Sequence, residues 1–299
     1  MTATAWVFPG QGSQSVGMGK ALADAEPAAR QRFTEADDAL GFALSDSIWN
    51  GPDATLQQTD TQQPAILLVS VVQFEALKRR GQLPDAAFAA GHSLGQYSAA
   101  VCTGALPFAE AMRLVRRRGQ LMQEYGHGAM AAILGMETEA VQALAAEANV
   151  EVANINAPGQ VTIAGRQEDV ERAAALAKER GARRAIILPV SAAFHTSLMR
   201  PVADALTPLL EDADLSDPAV PIMANVDGQP IVIAANLRAE LIHHIFSPVQ
   251  WVRAVETMRD ADITDYLEIG PGNVLSGLIK RTDKEARTQT SDTLLAPAQ

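Results

Sequence analysis

Ser93 stands in the segment Gly91-His92-Ser93-Leu94-Gly95, directly after the apolar run Phe88-Ala89-Ala90 and ahead of a stretch that reads as a helix from Leu94 on. A glycine-flanked serine between a strand and a helix sits on a sharp elbow that lifts its hydroxyl clear of the backbone. There the unpaired N–H groups of a helix N-terminus can stabilise a developing oxyanion. The chemistry this supports is acyl transfer through an acyl-serine. An ordinary helix N-cap serine is the bland alternative, because glycine-flanked serines also arise by chance in an alanine- and glycine-rich chain.

The chain around that serine has 299 residues, 47% of them hydrophobic, enough for one large domain or a domain with an insertion. Aromatic residues make up only 5%, so the core must be built from Ala, Val, Leu and Ile, which suits helices packed on an aliphatic sheet. An α/β class is expected. A formal net charge of −11 argues against a general nucleic-acid binder, since phosphate neutralisation needs a basic surface. The single cysteine, Cys102, leaves no internal disulfide framework and reads as core filler in a buried helix. The N-terminus lacks a basic segment followed by a long apolar one, and no stretch approaches the roughly 20 apolar residues of a membrane span. A cytoplasmic, bacterial-type enzyme is expected, acting as a monomer.

Residues 5–8 read as a strand ended by the glycine-rich loop Pro9-Gly10-Gln11-Gly12-Ser13-Gln14, a loop able to present backbone N–H groups. Helical spacing follows over 64–80, with Pro64 suited to a helix start, and again over 107–124. The grammar then changes. Strand 130–134, helix 137–147, strands 150–155 and 161–164, helix 168–180 and strand 184–190 give the β-α-β-β-α-β order of a ferredoxin-like unit. This predicts an inserted subdomain at 128–191, within a larger α/β domain formed by 1–127 and 192–299. Beyond it come a strand at 223–225, a helix at 237–245, a strand at 266–268 and a final helix; the polar tail after Arg281 reads as peripheral.

FPGQGSQ at 8–14, GHSLG at 91–95, Arg118-Gly119 with Leu121-Met122-Gln123, NAPGQ at 156–160, Phe194-His195, SPVQW at 247–251 and EIGPG at 268–272 occur in that order. Together they resemble the malonyl-CoA:acyl carrier protein transacylases, over nearly the whole chain from Trp6 to Arg281. An ordered set of this kind is far more specific than any one motif. The resemblance implies a large hydrolase-like α/β domain with a ferredoxin-like insertion, the shape the element order already suggests.

It also implies roles. Serine needs a base, and His195 is the residue the resemblance pairs with Ser93 as a dyad. Among the other histidines, His92 is adjacent to the serine and reads as support for the elbow, and His127 as solvated. His243 and His244 are consecutive on a predicted helix and cannot face one site as a metal pair, so no metal is expected. The resemblance assigns the orienting of His195 to a backbone carbonyl near Gln250 rather than to a carboxylate. The oxyanion hole falls to the backbone N–H groups of Leu94 and Gln11. Arg118 would grip the malonyl carboxylate, which a planar guanidinium can hold with two parallel hydrogen bonds. Arg116 and Arg117 read as a solvated basic face that, with Arg113, could greet an acidic carrier. Phe194 would narrow the pocket beside the α-carbon, and Asn156, with Gln160, would lie near the subdomain junction.

The expected partners are therefore malonyl-CoA and acyl carrier protein, with no bound cofactor. Three departures stand out: Gln96 where the family often has Glu, a short loop at 126–128, and Ala193 before Phe194. A serine hydrolase, either a thioesterase or a patatin-like lipase using the Asp227-Gly228 pair, shares the elbow and is the main alternative class. A non-catalytic carrier-binding protein is the third.

Overall fold

The computed structural model describes residues 3–190 and 192–296. Among these residues ten strands form two sheets: β1 (Ala3–Phe8), β2 (Ala86–Gly91), β3 (Ala129–Leu134), β4 (Glu151–Ala157), β5 (Gln160–Gly165), β6 (Arg184–Ile187), β7 (Ile222–Met223), β8 (Pro230–Ile231), β9 (Ile263–Glu268) and β10 (Arg287–Thr290). The larger sheet runs β10-β9-β1-β2-β7-β8, parallel except for β8. Its central strands are buried on both faces, which explains why Trp6-Val7-Phe8 and Ala89-Ala90 are continuous apolar runs rather than alternating ones. Loops at the carboxyl ends of β1, β2 and β9 therefore converge at one edge of the sheet, where open α/β folds build their sites.

The second sheet, β4-β5-β3-β6, is antiparallel throughout. Counted within the unit its strands stand in the order 2-3-1-4, with helices Thr138–Ala148 and Gln167–Glu179 following β3 and β5. This is the ferredoxin-like arrangement, and with the larger sheet it makes a two-subdomain α/β architecture. Ser191, the end of the expected insertion, lies outside the described residues.

The segment SPVQW stitches the two sheets together. Val249 forms a parallel bridge with Asn154 of β4, donating its N–H to Ala153 O at 2.9 Å and accepting from Ile155 N–H at 2.9 Å. Helix Trp251–Asp260 then turns Trp251, Ala254, Val255 and Met258 inward.

Two expectations need correction. The helix at Pro64 begins five residues earlier, spanning Thr59–Arg79, and it is buried on every side from Thr61 to Phe74. A proline inside a helix frees the carbonyl four residues back. Here that carbonyl, Asp60 O, accepts from Arg116 Nη1 at 2.7 Å, so the position is tolerated because a neighbouring helix supplies the missing donor. The tail after Arg281 is not peripheral. Its strand β10 adds an edge to the large sheet, and buried Ser291 donates to Gln73 Oε1 (2.6 Å) while accepting from the Gly270 N–H (3.1 Å). Short polar strands with alternating exposure carry little hydrophobic signal, which is why RTQT does not stand out.

The EIGPG motif has a structural explanation. Buried Glu268 accepts the backbone N–H groups of Leu275 (2.9 Å) and Ser276 (2.7 Å), placing a carboxylate on the N-terminus of helix Val274–Thr282.

Candidate active site

The glycines at the elbow are there for close approach. A Cβ on Gly91 would lie 1.9 Å from the Gly95 carbonyl carbon, and one on Gly95 would lie 2.1 Å from Phe8 O. The turn thus folds back on itself and presses against the end of β1, where His92 N–H donates to Phe8 O at 3.0 Å. Within it Ser93 holds φ 51°, a left-handed conformation that non-glycine residues take at a cost of roughly 1–3 kcal/mol. Asn225, just after β7, helps offset that cost: its Oδ1 accepts the Ser93 N–H at 2.7 Å, and its Nδ2 donates to Gly91 O at 2.7 Å. Helix Gly95–Cys102 follows, with Leu94 fully buried at its start.

His195 reaches the serine from the chain returning out of the smaller sheet, itself at φ 60°. Ser93 donates its hydroxyl proton toward His195 Nε2 at 2.8 Å, and His195 Nδ1–H donates to His244 O at 2.6 Å. The second bond fixes the tautomer, leaving the Nε2 lone pair on the serine. Burial first, then the Arg118 cation, holds this imidazole down to about 3, so it stands neutral as a base does. The orienting carbonyl is that of His244, not one at Gln250. Gln250 lies six residues further on and spends its N–H on Asn225 O (2.7 Å) at the seam between the sheets.

Arg118, on helix Phe108–Tyr125, is completely buried. Its Nη1 donates to Gln63 Oε1 (2.6 Å), and its Nη2 points to Ser93 Oγ (3.3 Å) and to His244 Nε2 (3.4 Å). Its Nε has no partner, and no carboxylate among the described residues pairs with it. A cation taken out of water normally requires an anion, because its desolvation costs several kcal/mol. A guanidinium without an anionic partner beside a nucleophilic oxygen has the chemistry to receive an anion.

The adjacent arginines differ. Arg113 and Arg117 are exposed, whereas Arg116 is not a solvated residue: it pairs with Asp60 Oδ2 at 2.8 Å and with the carbonyl beneath Pro64.

Gln11 and Leu94 flank the serine from the β1 loop and the helix start. The Gln11 side chain is held between Gln62 (2.7 Å) and Gln63 (3.3 Å), which sets the loop. Among the described residues neither the Gln11 nor the Leu94 backbone N–H has a protein acceptor. Asn156 lies in β4 and bonds through Oδ1 to His92 Nε2 at 2.8 Å, so it reaches the elbow through His92 and not the dyad directly. Phe194 is buried against the main core.

Sequence reasoning missed Gln63, Asn225, Glu240 and His244. The two consecutive histidines do diverge, with His243 exposed and His244 buried in the site. The carboxylate absent at Gln96 is found on Glu240, whose Oε1 accepts from Gln96 Nε2 (3.2 Å) and from the Asn225 N–H (2.5 Å). Burial pushes this carboxyl up to about 7. Asp227 is exposed and accepts from Gln229 N–H in its own turn at 2.9 Å, leaving a patatin-like Ser-Asp pair without support.

The acyl transferase domain family matches residues 5–298 of the chain. A malonyl CoA-acyl carrier protein transacylase of Bacillus subtilis is 44% identical over 296 residues, covering 96% of this chain and 93% of the relative. The corresponding protein of Escherichia coli K12 is 44% identical over 288 residues, covering 94% and 93%. A malonyl-transacylase solved in complex with its type II PKS acyl-carrier protein superposes with a TM-score of 0.93 at 41% identity, covering 97% of this chain and 96% of that one. An acyl carrier protein S-malonyltransferase of Vibrio cholerae superposes equally well, at 0.93, with 43% identity and coverage of 97% and 96%.

Proposed function

The chain belongs to the acyl transferase domain family, and from that premise we infer its reaction: it moves a malonyl group from malonyl-CoA to the phosphopantetheine thiol of acyl carrier protein, through a malonyl-serine ester. The observation that carries the assignment of residues is a single oxygen with two neighbours. Ser93 Oγ lies 2.8 Å from a base that can take its proton and 3.3 Å from a buried, carboxylate-free arginine.

In the first half-reaction Ser93 Oγ bonds to the thioester carbon as its proton passes to His195 Nε2. The oxyanion that forms is met by the Gln11 and Leu94 N–H groups, each such donor typically worth about 2.7–4 kcal/mol. The C–S bond then breaks, and His195 returns the proton to the CoA sulfur. In the second half the carrier thiol gives its proton to His195, attacks the ester carbon, and Ser93 Oγ leaves with the proton back. The cycle needs no bound cofactor.

Arg118 selects the acyl group by accepting the malonyl carboxylate. That anion also cancels part of the positive field that holds His195 down, so the base strengthens when the matching substrate arrives. The proposed compartment is the cytoplasm, where a free thiol such as Cys102 stays reduced.

Covalent loading without carrier tests this reading. The protein is mixed with malonyl-CoA or acetyl-CoA and followed by intact mass. A stable malonyl adduct exceeding the acetyl one is expected. Release of free CoA with no adduct would instead establish a hydrolase.

A further inference from the structure

His244 contributes more than a carbonyl. Its Nδ1–H donates to Glu240 O one helical turn back at 2.9 Å, which fixes the ring's tautomer and leaves the Nε2 lone pair facing Arg118 Nη2. The ring is fully buried and is boxed in by Tyr97, with centroids 6.2 Å apart, and by His195, at 6.1 Å. Around Arg118 the partners are unequal. Nη1 is anchored on Gln63 at 2.6 Å, while Nη2 is held at 3.3 and 3.4 Å, long for bonds to a charged donor, and Nε is bare. When Ser93 becomes an ester its oxygen loses most of its value as an acceptor, and His244 Nε2 is then the neutral group left beside Nη2.

We propose that the His244 imidazole is a positioning residue for acyl selectivity: its Nε2 holds the Nη2 edge of Arg118 in the plane required by the malonyl carboxylate, before and during the acyl-serine stage. The same residue thereby aligns the base through its backbone and the carboxylate clamp through its side chain. The two functions are separable, because substitution removes only the side chain. This proposal rests on the reading of Arg118 as the carboxylate-binding group.

The test compares His244→Leu, which removes the acceptor, with His244→Gln, whose amide oxygen can replace it. Loading rates are measured over a range of malonyl-CoA and acetyl-CoA concentrations, with Arg118→Ala in parallel. In His244→Leu the half-saturating malonyl-CoA concentration should rise about tenfold, the fold-change of one lost hydrogen bond to a charged group. The loss with malonyl-CoA should exceed any loss with acetyl-CoA by about that factor, and His244→Gln should recover most of it. If His244→Leu does not fold, His244→Met takes its place as the variant without a strong acceptor.

Equal losses with both thioesters, or a Gln variant as poor as the Leu one, would overturn the proposal. The outcomes also separate the two readings. Loss of malonyl preference in Arg118→Ala alone removes only the role of His244, whereas an unchanged preference in Arg118→Ala removes the carboxylate reading beneath it.

Discussion

The Ser93-His195 pair and Arg118, the proposed carboxylate clamp, share one oxygen, yet they are held in opposite ways. Ser93 and His195 are placed by backbone: two left-handed residues, glycines packed within van der Waals limits of neighbouring main chain, and a carbonyl on the far side of the imidazole. Arg118 is placed by side chains, with Gln63, Ser93 and His244 offering neutral acceptors at the end of a long, flexible group. Chemistry common to any acyl group is thus built into the chain path. On the proposed reading of Arg118, selectivity for one acyl group rests on a few rotamers that can change partners.

The sharpest break in that comparison is at the nucleophile. Ser93→Ala should abolish the covalent adduct with both thioesters and lower turnover on the order of 10⁶-fold, the scale seen when a serine nucleophile is removed. Intact mass after malonyl-CoA treatment checks it, and an adduct that survives the substitution would move the nucleophile elsewhere. Arg118→Ala should affect the two thioesters unequally. Losing one partner of a buried charge pair costs roughly 2–5 kcal/mol, so malonyl loading should fall by about 30-fold or more. Acetyl loading, which makes no such pair, should be spared. Parallel losses would mean that Arg118 serves the dyad rather than the carboxylate.

What could be read from the sequence divides along the same line. The elbow, the glycine loop after β1 and the ferredoxin-like order are local patterns, spaced by backbone need, and the chain displays them directly. The clamp is not local. Gln63 lies in a helix buried all round, where a polar residue gives no periodic signal, and His244 follows an exposed histidine that draws attention to the pair as a metal ligand set. The carbonyl next to His195 was equally hidden, since any residue supplies one. Pro64 misled in a different way: its rule for helix starts is sound, and only the tertiary donor from Arg116 shows why the helix could begin at Thr59.

Glu240 extends the comparison beneath the elbow. It holds the Asn225 backbone, and Asn225 holds the Ser93 N–H, so the backbone scaffold of the nucleophile includes a titratable carboxyl. Its ordinary value of 4.5 is raised to about 7. Between those values the unfolded chain has released a proton that the folded chain keeps. The stability this carboxyl contributes is therefore full below about 4.5 and is lost as the pH rises through 7, a change of roughly 3 kcal/mol at most. Urea unfolding of the parent and of Glu240→Gln at about pH 5 and pH 8 isolates it, because the depressed histidines, which act in the opposite sense, cancel between the two proteins. The variant should show the flatter dependence. Identical slopes would show that Glu240 does not titrate in the folded chain.

The smallest effect sharpens the contrast most, because it concerns neighbours on one helix. Arg116 and Arg118 are two residues apart and face different environments: Arg116 satisfies the Asp60 carboxylate and the carbonyl freed by Pro64, while Arg118 has no carboxylate partner among the described residues. One arginine completes the fold and the other, on the proposed reading, receives the substrate. Arg116→Met keeps the aliphatic stem but leaves Asp60 O without its donor, a loss of about 1–2 kcal/mol that should appear as a lower melting temperature. Its ratio of malonyl to acetyl loading should equal that of the parent. A shifted ratio would mean that the register of helix Phe108–Tyr125 against the Pro64 helix sets the guanidinium of Arg118, and that selectivity too is partly a property of the backbone.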